Sequence, residues 1–140
     1  MAAFSLPLKS LEKYRDYSAL FIRAVVGSFI IWGVQDNVLN YERMLEFRDF
    51  LASRGVSYPL LAAHLSVYTQ LVCGISILAG ALIRLTSILF IINFIAAILI
   101  AHRGDTFAHT FPALVMLAAG FFFLLNGAGK PSVDEWLEKR

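Results

Sequence analysis

The stretch Leu85–Ala101, LTSILFIINFIAAILIA, decides the fold. Its seventeen residues include no Asp, Glu, Lys or Arg. A bilayer's hydrocarbon core is crossed by about 20 apolar residues of helix, with a range of about 17–25. Three further segments meet that requirement: about Ser18–Val34, Pro59–Leu82 and Ala108–Leu125. Among the four, the only charge is Arg23. Backbone polar groups find no partner in lipid, so each segment must be a helix. Composition agrees. Of the 140 residues 59% are hydrophobic and 16% charged, and mean hydropathy is +0.70. A soluble domain carries roughly a quarter charged residues, so much of this surface faces lipid. That excludes a soluble enzyme, a disordered tail and a nucleic-acid module, the last also because net charge is only +2. The single cysteine, Cys73, excludes a disulfide framework, a thiol relay and a cysteine zinc site.

The sequence therefore predicts an all-α protein, a four-transmembrane-helix up-down bundle. The expected organisation is a cytoplasmic N-terminal segment over residues 1–17, one membrane domain over 18–126, and a cytoplasmic tail over 127–140. The first span is too long for the apolar region of a signal peptide and no small-x-small cleavage site follows it, so it is read as retained. With the N-terminus inside, Lys9, Lys13, Arg15, Arg84, Lys130, Lys139 and Arg140 face the cytoplasm, against Arg43, Arg48, Arg54 and Arg103 outside. Seven against four puts both termini in the cytoplasm, with a bacterial inner membrane as the expected location. In the long connection Gln35–Tyr58, Tyr41, Met44, Phe47 and Leu51 recur at helical spacing, opposite Glu42, Arg43, Glu46 and Asp49. That pattern predicts a short interfacial amphipathic helix between spans one and two. Only Ile83 and Arg84 separate spans two and three, which makes a tight hairpin. Asp134 and Glu135 ahead of Trp136 suggest a short capped helix from Ser132.

Several motifs follow one another in a recognisable order. Arg23, Gly27, Phe29 and Gly33 mark the first span, and Gly55-Val56-Ser57-Tyr58-Pro59 leads into the second. Gly74, Gly80 and Arg84 mark the end of the second at the hairpin, and Gly127-Ala128-Gly129-Lys130-Pro131-Ser132-Val133-Asp134 closes the chain. Taken together they resemble the DoxX family of small four-helix membrane proteins over about Ser18–Leu137. Two positions depart from it: Asp36 stands where the family often has lysine, and Gln70 where it often has glutamate, so charge chemistry tied to those two does not carry over. The resemblance implies a membrane partner of oxidoreductases. Members include a subunit of thiosulfate:quinone oxidoreductase, and others accompany metal or oxidative-stress genes.

Arg23 is the most informative single residue. An unpaired guanidinium at this depth costs at least about 2.5–3.5 kcal/mol. It either snorkels to the headgroups or turns inward to hold Gln70, a helix carbonyl or an anionic ligand. A second pattern depends on orientation. Asp36, His64, Tyr68, His102 and His109 fall on the outer side, where histidine and carboxylate could bind a metal, relay protons or hydrogen-bond a quinone carbonyl. The plainer reading is that His102 and His109 mark water-facing helix ends. No metal ligand set is assigned. Gln70 and Asn93, mid-span, suit interhelical hydrogen bonds or the wall of a ligand cavity. The run Gly127–Lys130 superficially suggests a phosphate loop, but Leu124 stands where that motif needs glycine.

These observations lead to a membrane subunit associated with an oxidoreductase system, quinone-linked or redox-related, with quinone as the candidate cofactor. It is more an accessory subunit than an enzyme alone. The alternative is a non-catalytic scaffold or assembly factor. Expected partners are the lipid bilayer and another membrane subunit or a second copy, not nucleic acid.

Overall fold

The structure, a computed structural model, describes residues 8–140, and among these every regular element is a helix. A 3-10 helix, Lys9–Tyr17, runs straight into α1, Ser18–Leu39. Then follow α2 Tyr41–Ser53, α3 Pro59–Ala79, α4 Ile83–Ile100, α5 Phe107–Asn126 and α6 Val133–Glu138. Four of these, α1, α3, α4 and α5, are long and apolar enough to cross a membrane. Only 28–33% of their most apolar stretches is buried. Outward-facing Phe21, Val25, Trp32, Leu65, Ile92, Leu99 and Leu125 leave a hydrophobic belt that water would not tolerate.

The spans pack mainly in sequence order: α1 on α3, α3 on α4 and α4 on α5, with a lighter contact between α1 and α5. Val26, Ile30, Cys73, Ile77, Ile83, Phe90, Met116 and Phe123 form the main core. Glycine sets the α1–α3 approach. A Cβ on Gly27 would lie 2.6 Å from Leu78 Cγ and 3.0 Å from the Gly74 carbonyl oxygen, so the backbones meet where neither helix has a side chain. A smaller core of Val34, Met44, Leu51, Ala63 and Val67 seats α2 against α1 and α3.

The helix limits correct the hydropathy boundaries. The first helix continues past Val34 to Leu39, so Asp36, beyond the hydropathy segment, lies inside α1. One residue, Asn40, breaks the chain: its extended backbone stops α1, and its Oδ1 accepts from Glu42 N at 2.9 Å to cap α2. At the hairpin α3 stops at Ala79, not Leu82, because Gly80 turns left-handed at φ +67°. Ile83 and Arg84, read as the connection, open α4, and the actual turn is Gly80–Leu82. The last span runs Phe107–Asn126, one residue longer at each end than the hydropathy segment, with Thr106 at its N-cap. In the tail, Ser132 Oγ accepts from Glu135 N at 3.1 Å, capping α6.

Candidate functional site

The bundle has two chemically different ends. At the hairpin end the last turn of α3, the α3–α4 turn and the tail converge on Arg23, and the 3-10 helix binds the tail. This side chain is 2% exposed and donates four hydrogen bonds, all to backbone carbonyls. Nε reaches Ile77 O at 2.8 Å and Nη2 reaches Leu78 O at 2.8 Å. Nη1 reaches Pro131 O at 2.7 Å and Ala128 O at 3.1 Å. The first two acceptors belong to the last turn of α3, where helix carbonyls lack intrahelical donors. The flat guanidinium fork thus closes one helix end and the tail at once. Of the three inward partners expected, it takes carbonyls, and Gln70 is engaged with Ser66.

Gly80 is required twice over here. Its φ favours glycine, and a Cβ would lie 2.7 Å from Arg23 Cζ and 2.6 Å from Ser132 Cβ. From the tail, Asp134 caps α4: its carboxylate accepts from Leu82 N at 2.6 Å and Ile83 N at 3.0 Å, while Asp134 N donates to Gly80 O at 2.9 Å. Lys130 joins the tail to the N-terminal segment, donating from N to Asp16 O at 2.8 Å and pairing Nζ with Asp16 at 2.9 Å. The hydrogen bond and charge of Asp16 hold this ammonium above its ordinary 10.5. A raised cationic value favours the fold below the ordinary value and fades as pH rises through the raised one, so the tie persists across the neutral range. Arg84 Nη1 closes α5 by donating to Leu124 O at 2.8 Å. A cavity of about 500 Å³ beside these groups is lined by Arg84, Asn126, Lys130, Asp134 and Glu138, among others.

The opposite end, where α2 and the α4–α5 loop lie, holds the sequence-selected histidines. His64 sits 6.2 Å from the Tyr41 ring and 6.1 Å from the Tyr68 ring, with Nδ1 at 2.8 Å from Leu60 O. Donation from Nδ1 to that carbonyl leaves Nε2 free. His102 Nδ1 lies 3.0 Å from Asp105 Oδ2. Arg54 reaches the same carboxylate at 3.8 Å and donates to Arg103 O at 2.8 Å, which ties α2 to the α4–α5 loop. Asp36 and His109 are exposed, and their side chains join neither group. Among the described residues, no set of three or more His, Cys, Asp or Glu is arranged to hold a metal ion.

Between α2, α3 and α4 lies a second cavity of about 320 Å³. Phe47, Leu51 and Val56 form its α2-side wall, and the helix walls include Leu65, Leu89 and Ile92, which are themselves exposed to the lipid side. Its polar residues are Ser66, Thr69 and Asn93. Gln70 Nε2 donates to Ser66 Oγ at 3.1 Å, and Ser66 Oγ donates to Asn93 Oδ1 at 2.9 Å, linking α3 to α4. Asn93 Nδ2 has no partner.

Sequence reasoning missed Asp134, Gly80 and Ser66 as working residues. The first two lie in the motifs quoted above, which was the available signal; Ser66 had none.

Four apolar spanning helices around a buried, carbonyl-bound arginine define a small helical integral membrane protein. Its family is then identifiable: the DoxX profile matches residues 18–103, more than half of the chain, and the chain belongs to the DoxX family. The match takes in Arg23, Gly27, Gly74, Gly80 and Arg84 and stops before the tail. No curated protein and no solved structure matches the chain.

Proposed function

We propose that this DoxX protein is an integral membrane subunit serving a membrane oxidoreductase system, quinone-linked or tied to redox stress. The observation that carries it is the pairing, at one end, of an apolar cavity walled by lipid-exposed residues with the hydrogen-bonded His102–Asp105 pair. A quinone accepting two electrons from a partner enzyme takes up two protons to become the quinol. Ala101 lines the cavity and His102 follows it, so His102 and Asp105 stand where protons from water can be relayed. His64 and Tyr68 are proposed as a second polar pair at this end, with Asp36 and His109 as separate exposed groups.

The proposal includes the membrane placement: an up-down run of spans, α2 at the interface, and both termini in the cytoplasm of a bacterial inner membrane. Single cysteines introduced at Ser53 and Ser132 in a Cys73→Ser background test it. A membrane-impermeant reagent on intact cells should modify position 53 alone, and the reverse pattern would overturn the orientation. Function is tested by purification in mild detergent, with mass spectrometry of co-purifying subunits and extracted lipid-soluble cofactors. A redox-active partner together with quinone is expected. A stoichiometric partner without either would instead support the scaffold reading, which the exposed apolar α1 face of Phe21, Val25, Phe29 and Trp32 also favours.

A further inference from the structure

We infer that the cavity between α2, α3 and α4 binds an apolar molecule through a carbonyl oxygen, with Asn93 as the donor that recognises it. Gln70, Ser66 and Asn93 form a directional chain in which each donor meets an acceptor, and the chain ends with Nδ2 of Asn93 unpartnered. With Gln70 donating to Ser66 Oγ, reversing the Asn93 amide would leave the Ser66 hydroxyl hydrogen without that acceptor, so the orientation with Nδ2 free is the one the chain selects. In this apolar setting an unmet amide N–H is costly. Asn93 lines the cavity, whose other walls are almost wholly aliphatic or aromatic. The χ2 torsion of an asparagine is broad, so a modest rotation presents Nδ2 to the cavity. What fits is a hydrophobic body bearing one hydrogen-bond acceptor.

Depth selects among such molecules. Asn93 precedes the end of α4 at Ile100 by seven residues, roughly 10 Å at about 1.5 Å per residue. It follows the start of α4 at Ile83 by ten, roughly 15 Å. The ester carbonyls of a phospholipid stay at the interface, outside the hydrocarbon core. A phospholipid can lay acyl chain in the cavity but cannot bring its ester to Asn93. The ligand must therefore carry its carbonyl into hydrocarbon: a ketone or ring carbonyl on an apolar frame, not an acyl ester. This inference rests on the reading of the cavity as a ligand site. Its test needs no partner enzyme, so its failure and that of the oxidoreductase reading are separately visible.

Benzophenone serves as the probe, because its excited carbonyl oxygen abstracts hydrogen from an adjacent C–H group. The ketyl carbon radical then couples with the protein carbon radical in a C–C bond. The label therefore marks whatever surrounds the carbonyl. The full chain in phosphatidylcholine nanodiscs, irradiated with benzophenone and mapped by mass spectrometry, should carry saturable label within Leu65–Thr69 and Leu89–Ala97. 2-Decanone should protect those positions about tenfold better than decane, the margin of one good hydrogen bond. Asn93→Leu should lower labelling there about tenfold, and Ala96→Phe, which fills the cavity, should abolish it. An unfolding midpoint of Asn93→Leu no lower than that of the parent chain guards against simple loss of packing. Label spread evenly over the lipid-facing helices, equal protection by decane, or full labelling of Asn93→Leu would overturn the inference.

Discussion

The two ends of the bundle spend their polar groups differently. At the hairpin end one buried cation gathers carbonyls from segments 54 to 108 residues away in sequence, and Asp134 caps a helix 51 residues away. At the α2 end most charged pairs are short-range and exposed, such as Arg43–Glu46 and Arg48–Asp49. Only the Arg54 contacts span distant elements there. Long-range bonds to buried carbonyls lock topology, whereas exposed local pairs contribute little. One end is therefore a fastening, and the other is held mainly by short-range, exposed pairs.

Arg23→Leu should produce the largest effect, because it strands several buried carbonyls at once. A loss of about 3–5 kcal/mol is expected, read as the unfolding midpoint in mixed-detergent denaturant titration. Arg23→Lys should recover only part of it, since a point charge cannot match the fork. A wild-type midpoint for Arg23→Leu would dissolve the contrast between the ends. Next comes Gly27→Ala, which drives a methyl into Leu78 and the Gly74 carbonyl and should cost about 1–3 kcal/mol. Its control is Gly33→Ala, where nothing lies within 4 Å of the added atom. That substitution should be neutral or stabilise by up to about 1 kcal/mol through helix propensity. Asp134→Ala removes the remote cap of α4 and should cost about 1–2 kcal/mol, with faster amide exchange at Leu82 and Ile83 as the local signature. Arg54→Ala should be smallest, below about 1 kcal/mol. Its measurable effect should be faster proteolysis near Gly55, and a stability loss matching that of Arg23→Leu would show that the α2 end is fastened too.

Hydropathy places all four spans because lipid demands an uninterrupted apolar helix and punishes every exception. Where it fails, the deciding groups are far off in sequence. The end of α3 at Ala79 and the start of α4 at Ile83 depend on Gly80 packing against Arg23 and on a carboxylate 52 residues beyond Leu82. No local pattern encodes that. Arg23 is legible as a charge needing a partner, while its choice of carbonyls over Gln70 comes from where α3 ends and how the tail folds back. The histidines share an end of the molecule, as span order suggests. Their ring contacts, set by side-chain direction, pair His64 with tyrosines and His102 with Asp105. Asn93 reads from sequence as polar at depth; its free amide end depends on which face Ser66 occupies.

The arginine fastening also has a timetable. Two of its acceptors, Ile77 and Leu78, are synthesised more than fifty residues after Arg23, and the other two, Ala128 and Pro131, more than a hundred after it. At about 5–20 residues per second, the last of these reach the ribosome's exit roughly 5–20 s after the first span has begun to insert. Until α3 arrives the guanidinium can be satisfied by leaning toward the headgroups, and until the tail arrives only Ile77 O and Leu78 O can receive it. The nascent first span is thus only provisionally seated, and completion of the tail converts it into a committed one. A polypeptide halted before Ala128 would leave Nη1 of Arg23 without its two tail carbonyls while Nε and Nη2 keep those of α3.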